Sequence, residues 1–227
     1  MQDFPISQIR ASFPGLKRKV RGKNAIFFDG PGGSQVPASV AEAMKDYLLN
    51  QNANTGMSFA TSVETDLLIS ETLQACADFI GCSDPTEVVF GQNMTSLNIQ
   101  LASALSRTWG ADDEVVVTRL DHDGNVRPWT LAAEWSGAKL RKIDVKQEDC
   151  TLDMESVVDS INEKTVLVAI GAASNLSGSV NDVRRIVEIS HGFGAEVVVD
   201  AVHFAPHSLI DVGSMGCDYL LCSPYKF

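Results

Sequence analysis

The chain has 227 residues, 44% of them hydrophobic, and a formal net charge of −11. That length and composition support a buried core rather than a disordered chain, and the acidic balance excludes nucleic acid or an anionic membrane surface as the main partner. No apolar run approaches the roughly 18 residues of a spanning helix, and Met1-Gln-Asp-Phe-Pro-Ile-Ser7 has neither the basic start nor the apolar stretch of an export signal, so a cytoplasmic protein is expected.

In chain order, Ile6 to Phe13 reads as a short helix closed by Pro14-Gly15, and Ala25-Ile-Phe-Phe28 as a short strand followed by Asp29-Gly-Pro-Gly-Gly-Ser34. Pro37 to Asn50 reads as a helix with proline in its first position. Thr61 to Ile80 is a long amphipathic helix ending at Gly81, and Glu87-Val-Val-Phe90 a strand. A helix from Thr95 to Trp109 follows, then strand Glu114–Thr118, helix Pro128–Ser136, strand Lys139–Ile143 and helix Met154–Ile161. The pattern closes with strand Thr165–Ile170, helix Asn181–Phe193, strand Glu196–Val199 and a last strand at Tyr219–Cys222. Short apolar runs alternating with helices specify an α/β fold with a mostly parallel central sheet and helices on both faces. The expected organisation is an N-terminal arm over residues 1–24 and part of a large domain over 25–227.

Parallel sheets gather ligands outside the carboxyl ends of their strands. Five such ends carry polar residues: Gly91–Thr95, Asp121–Asn125, Ser174–Gly178, Asp200–His203 and Ser223–Lys226. Met94 and Thr95 open a helix after a strand, where free amides and the threonine hydroxyl suit a phosphate dianion; taken alone, Thr95 reads first as an ordinary N-cap. Neither GxxxxGK[ST] nor GxGxxG occurs. Asp200 ends an apolar strand, where it would either cap the next segment or accept a hydrogen bond from a protonated pyridine nitrogen. His122 fits a solvated loop, a ring-stacking role or general acid–base work. Asn175 reads as a turn residue or a donor to a phenolic oxygen, which His203 could also reach. Lys226, at the mouth of the last strand, suits a Schiff base with an aldehyde cofactor. His122, Asp200 and His203 match no compact zinc spacing, and no GxSxG elbow is present. Cys76, Cys82, Cys150, Cys217 and Cys222 show no CxxC pair, which points to free thiols acting as small hydrophobes.

In order and spacing these motifs resemble the class V, fold-type I family of pyridoxal phosphate (PLP) enzymes, and within it the cysteine desulfurase-like, Suf-type-related branch. The resemblance runs from Phe28-Asp-Gly-Pro-Gly-Gly-Ser-Gln-Val-Pro37 to Lys226. It implies Thr95 and Ser223 on the phosphate, His122 stacked on the ring, Asn175 near the phenolic oxygen, Asp200 on the pyridinium nitrogen and Lys226 as the Schiff-base lysine. The family's Glu-His-His-Ala-Asn pattern has Asp123 for its second histidine; His203 stands for the usual glutamine, Tyr225 for the histidine before the lysine, and Thr55 for a channel arginine. Tyr225 retains a hydroxyl for the phosphate. The resemblance further implies an amino-acid substrate such as L-cysteine, a homodimer, and a persulfide-forming cysteine and carboxylate-gripping arginine beyond Lys226. The chain is therefore expected to be the N-terminal part of such an enzyme. Aminotransferase, epimerase, lyase and catalytically inactive truncated readings stay open.

Overall fold

The computed structural model describes residues 4–227, so the first three positions of the N-terminal stretch discussed above lie outside the described residues. Two compact units emerge, one of the described residues up to Cys76 with Tyr225–Phe227 and one of Ala77–Pro224. The division falls inside a helix, whereas the sequence places an arm boundary after Asn24.

In the first unit, α1 (Ile6–Ala11) precedes a two-stranded antiparallel ribbon of β1 (Lys19–Val20) and β2 (Lys23–Asn24). Arg21 and Gly22 make its turn with positive φ of 53° and 77°, the left-handed pairing that matches strand twist in tight hairpins. Ala25–Phe28 is not a strand; Ile26 and Phe28 are exposed and no described segment pairs with them. An apolar run becomes a strand only where another backbone offers a ladder. α2 spans Ala38–Asn50, with Pro37 as its N-cap rather than its first helical residue. α3 (Ala60–Ile80) is anchored to α2 through Tyr47 Oη and Thr65 Oγ1, 3.3 Å apart.

The second unit carries a five-stranded sheet ordered β4-β3-β5-β6-β7, with every pair parallel. The strands are β3 (Glu114–Thr118), β4 (Lys139–Ile143), β5 (Thr165–Gly171), β6 (Glu196–Asp200) and β7 (Tyr219–Leu221). Their helices are α4 (Met94–Leu105), α5 (Arg127–Ser136), α6 (Met154–Ser160), α7 (Val183–Gly192) and the short α8 (Val212–Met215). Strand periodicity assigns the faces. Val116, Val168, Ile170, Val197 and Val199 pack with Val157 of α6 and Val183, Ile186 and Val187 of α7. Their alternates Val115, Val117, Leu167, Ala169 and Val198 pack with Met94 and Ala102 of α4 and Trp129, Ala132 and Ala133 of α5. A parallel sheet covered on both sides needs such continuous apolar strands.

Glu87–Phe90 is likewise not a strand: Pro85–Glu87 is a 3-10 turn, Val88 is extended, and Val89 and Phe90 are exposed. The cysteines are free, as their spacing indicates, but not buried: four are half-buried and Cys150 is exposed. At the opposite end of the sheet from the carboxyl termini, Glu114 accepts from Arg141 Nη1 (3.0 Å) and Asn162 Nδ2 (2.8 Å). The Asn162 amide and the Arg141 charge hold its carboxyl below the usual range despite desolvation. Truncating Ile186, fully buried between α7 and the sheet, to alanine is expected to cost about 2–5 kcal/mol. Urea unfolding would read this as a lower midpoint at unchanged slope.

Candidate active site

Because the pairs are parallel, the carboxyl ends of β3, β5, β6 and β7 lie along one edge of the sheet. Gly171 and Asp200 are register partners at the ends of β5 and β6, and Asp200 and Leu221 are partners at the ends of β6 and β7. The polar residues after these ends therefore converge by topology.

The first element is the N-terminus of α4. Asn93, not Thr95, is the N-cap: its Oδ1 accepts from Ser96 N at 2.9 Å, and its backbone oxygen from Leu97 N. Ser223, two residues past β7, accepts from Met94 N at 3.0 Å and is buried. First-turn amides have no intrahelical acceptor. With those of Met94 and Ser96 engaged by Ser223 and Asn93, the Thr95 amide, the Thr95 hydroxyl and the Ser223 hydroxyl proton remain to face an anion. Gly124 shapes the wall beside them. A Cβ there would lie 2.7 Å from Thr95 Oγ1 and 3.0 Å from His122 Nδ1, so only glycine lets the loop come this close.

His122 stands at the head of that loop and is exposed. Its Nδ1 accepts from Gly124 N at 2.9 Å, which assigns the ring proton of the neutral imidazole to Nε2. Asn98 of α4, fully buried, fastens the loop by donating Nδ2 to Gly124 O (2.9 Å) and Asn125 Oδ1 (3.0 Å).

Asp200 is buried at the end of β6, and its Oδ1 accepts from Val202 N at 2.9 Å. Burial pushes its carboxyl up to about 6; the Val202 amide and the nearby His122 charge oppose the rise. It is thus a carboxylate at neutral pH. The residue that sequence reasoning left without a role is Asp121. Burial, with the Asp200 charge adding to it, pushes that carboxyl up to about 7. Its importance rests on contacts with a strand 50 residues away, which no local pattern reveals.

Asn175 is half-buried in the turn after β5, where Ser174 Oγ accepts from Leu176 N and Ser177 N. His203 is half-buried in the turn after β6. Tyr225 and Lys226 belong to the first unit. There Lys226 is buried, its Nζ donates to Pro31 O and lies 5.0 Å from the Tyr225 ring centroid, and the exposed Tyr225 accepts from Ser34 N through its backbone oxygen. Met94, Thr95, His122, Asn175, Asp200, His203 and Ser223 thus occupy the second unit.

Residues 26–227 match the family model for aminotransferase class-V. The chain belongs to this family. It is 35% identical over 222 residues to a probable cysteine desulfurase of Halalkalibacterium halodurans, covering 96% of the chain and 54% of that relative. It is 33% identical to an aminotransferase-like protein of Gibberella zeae, covering 98% of the chain and 55% of that relative. Among solved structures, the apo cysteine desulfurase of Thermococcus onnurineus superposes with a TM-score of 0.88 at 29% identity, over 99% of this chain and 54% of that one. The chain spans about half the length of the curated relatives it matches. The superposition agrees with the parallel sheet and two helical layers described above, and the family is one of PLP-dependent enzymes.

The two raised carboxyls make stability pH-dependent. A group whose folded value lies above its unfolded one stabilises fully below the unfolded value, near 4, and loses that contribution as pH rises through the folded value. Asp200 and Asp121 should therefore weaken the fold between about pH 4 and 7. Asp200→Asn removes the step near 6 and pulls the Asp121 step down by deleting a like charge. Relative to the variant, the wild-type protein should lose about 3 kcal/mol between about pH 4 and 8. Urea unfolding at the two pH values reads the difference, and parallel behaviour would refute the assignment.

Proposed function

We propose that the chain forms the PLP-binding large domain, residues 25–227, of a PLP-dependent enzyme that acts on an amino acid, with L-cysteine as substrate and desulfuration as the reaction. The observation that carries this reading is the pairing of an open α4 N-terminus, flanked by Thr95 and Ser223, with the buried Asp200 carboxylate on the same sheet edge. PLP has a dianionic phosphate and a protonatable ring nitrogen, which are the complements of those two features. The family match and the names of the relatives support the choice of chemistry.

When bound, PLP supplies an aldehyde for the substrate amine and an electron-accepting ring. The protein's residues would do the rest. The Thr95 amide and hydroxyl and the Ser223 hydroxyl hold the phosphate, with Met94 in the same turn. Asp200 keeps a proton on the ring nitrogen; its ionised form at neutral pH is what that task needs. His122, with its proton on Nε2, would stack on the ring or donate a proton. Asn175 and His203 would hydrogen-bond the phenolic oxygen. Lys226 would anchor the cofactor covalently and, when free, would hold or move a proton at the substrate α-carbon, and the Tyr225 hydroxyl would add a contact to the phosphate. Only Pro224 and Tyr225 lie between Ser223 and Lys226 in the chain. A cytoplasmic homodimer completes the proposal, and sedimentation velocity tests the dimer.

The gene product incubated with PLP is expected to turn yellow, and borohydride should fix the cofactor's mass on Lys226. Lys226→Ala should abolish the adduct, and its persistence would sink the assignment. Added L-cysteine should yield alanine, and with an excess of a dithiol reductant, which supplies the two electrons, the sulfur should appear as sulfide. A keto acid with aminated cofactor would instead select transamination, the activity suggested by the aminotransferase-like relative. Thr95→Ala should raise the Kd for PLP about tenfold, the loss of one hydrogen bond to a charged group, read by absorbance titration.

A further inference from the structure

Asp121 makes none of the proposed cofactor contacts, yet its carboxylate joins three elements. Both oxygens accept from Gly171 N, each at 2.9 Å, at the end of β5. Oδ2 also accepts from Asn125 Nδ2 at 3.1 Å. The backbone leading to it is turned by Thr118 Oγ1, which accepts from Leu120 N (3.1 Å) and Asp121 N (3.0 Å). The approach to β5 requires a glycine, since a Cβ on Gly171 would lie 2.7 Å from Asp121 Oδ1. Asn125 is fully buried and passes the connection to Asn98 of α4, which also holds Gly124 O. Gly124 N in turn donates to His122 Nδ1. A continuous series of bonds runs from the end of β5, through Asp121, Asn125, Asn98 and Gly124, to the His122 ring.

We infer that Asp121 is a positioning residue that latches the His122 loop onto the end of β5, so that its carboxylate sets where the His122 ring stands and which ring nitrogen carries the proton. A carboxylate is suited to this because it only accepts, and it faces N–H donors from two directions. The charged group facing it from the neighbouring strand is Asp200, with the His122 ring acting on Asp200 in turn. Protonation of Asp121 therefore weakens the latch as pH falls through about 7. The relevance to catalysis rests on the proposed cofactor site; the latch itself does not.

Asp121→Asn tests it in the protein without cofactor. The amide keeps the shape but turns an NH2 group toward one of the N–H donors. In the variant, the Gly171 and Gly124 amide resonances should both shift, and long-range nitrogen–proton spectra should show the His122 ring losing its preference for the Nε2–H form. If Gly171 shifts while Gly124 and the ring keep wild-type values, Asp121 merely finishes the strand and the latch is overturned. Should the variant not fold, the wild-type titration decides: Gly171 and Gly124 amides share one midpoint if the latch holds, and separate midpoints overturn it. Failure of the wild-type protein to bind PLP would remove the cofactor reading and leave these results standing. Where PLP does bind, the variant's Kd should rise severalfold.

Discussion

Parallel pairing of β3, β5, β6 and β7 is the constraint on which the rest depends. Parallel strands point their carboxyl ends the same way, so residues far apart in sequence must exit along one edge. Antiparallel pairing would have sent half of them to the other side. The apolar content of the strands enforces the arrangement. Val115–Val117, Leu167–Ile170 and Val197–Val199 are buried on both faces, and only helices joining successive parallel strands can cover both.

At the edge so formed, polar groups hold one another. Asn93 caps α4, Ser223 binds the first helical amide, and Asn98 holds the facing loop. The two acids have different tasks because their partners differ. Asp200 has one backbone donor and a neighbouring imidazole, which leaves it available to a ligand. Asp121 is directed into the protein by Gly171 and Asn125.

Much of this was legible in the sequence, and the failures share a cause. The α/β alternation, the strand ends and the approximate helix limits follow from periodicity and from residues such as Gly81 and Asp200. Ala25–Phe28 and Glu87–Phe90 have strand composition but lack a ladder partner, a nonlocal condition invisible to composition. Thr95 reads as a cap because it is a threonine at a helix start; the observed cap two positions earlier depends on the φ and ψ of Asn93, −171° and 169°. Asp121 lies inside the recognised motif, but its function depends on Gly171 and Asn98, and no spacing rule connects the three. Nothing in the local sequence indicates that Tyr225 and Lys226 pack with Gly30–Ser34.

The two-pronged grip of Asn98 has a thermodynamic meaning. A single side chain rooted in α4 binds both Gly124 and Asn125, which ties the loop bearing the imidazole to the helix of the proposed anion cradle. Ordering them together before any ligand arrives means that the entropy of fixing the loop is already lost in folding. A molecule that docks its anionic end then finds the imidazole in place, and its binding is not taxed by loop closure.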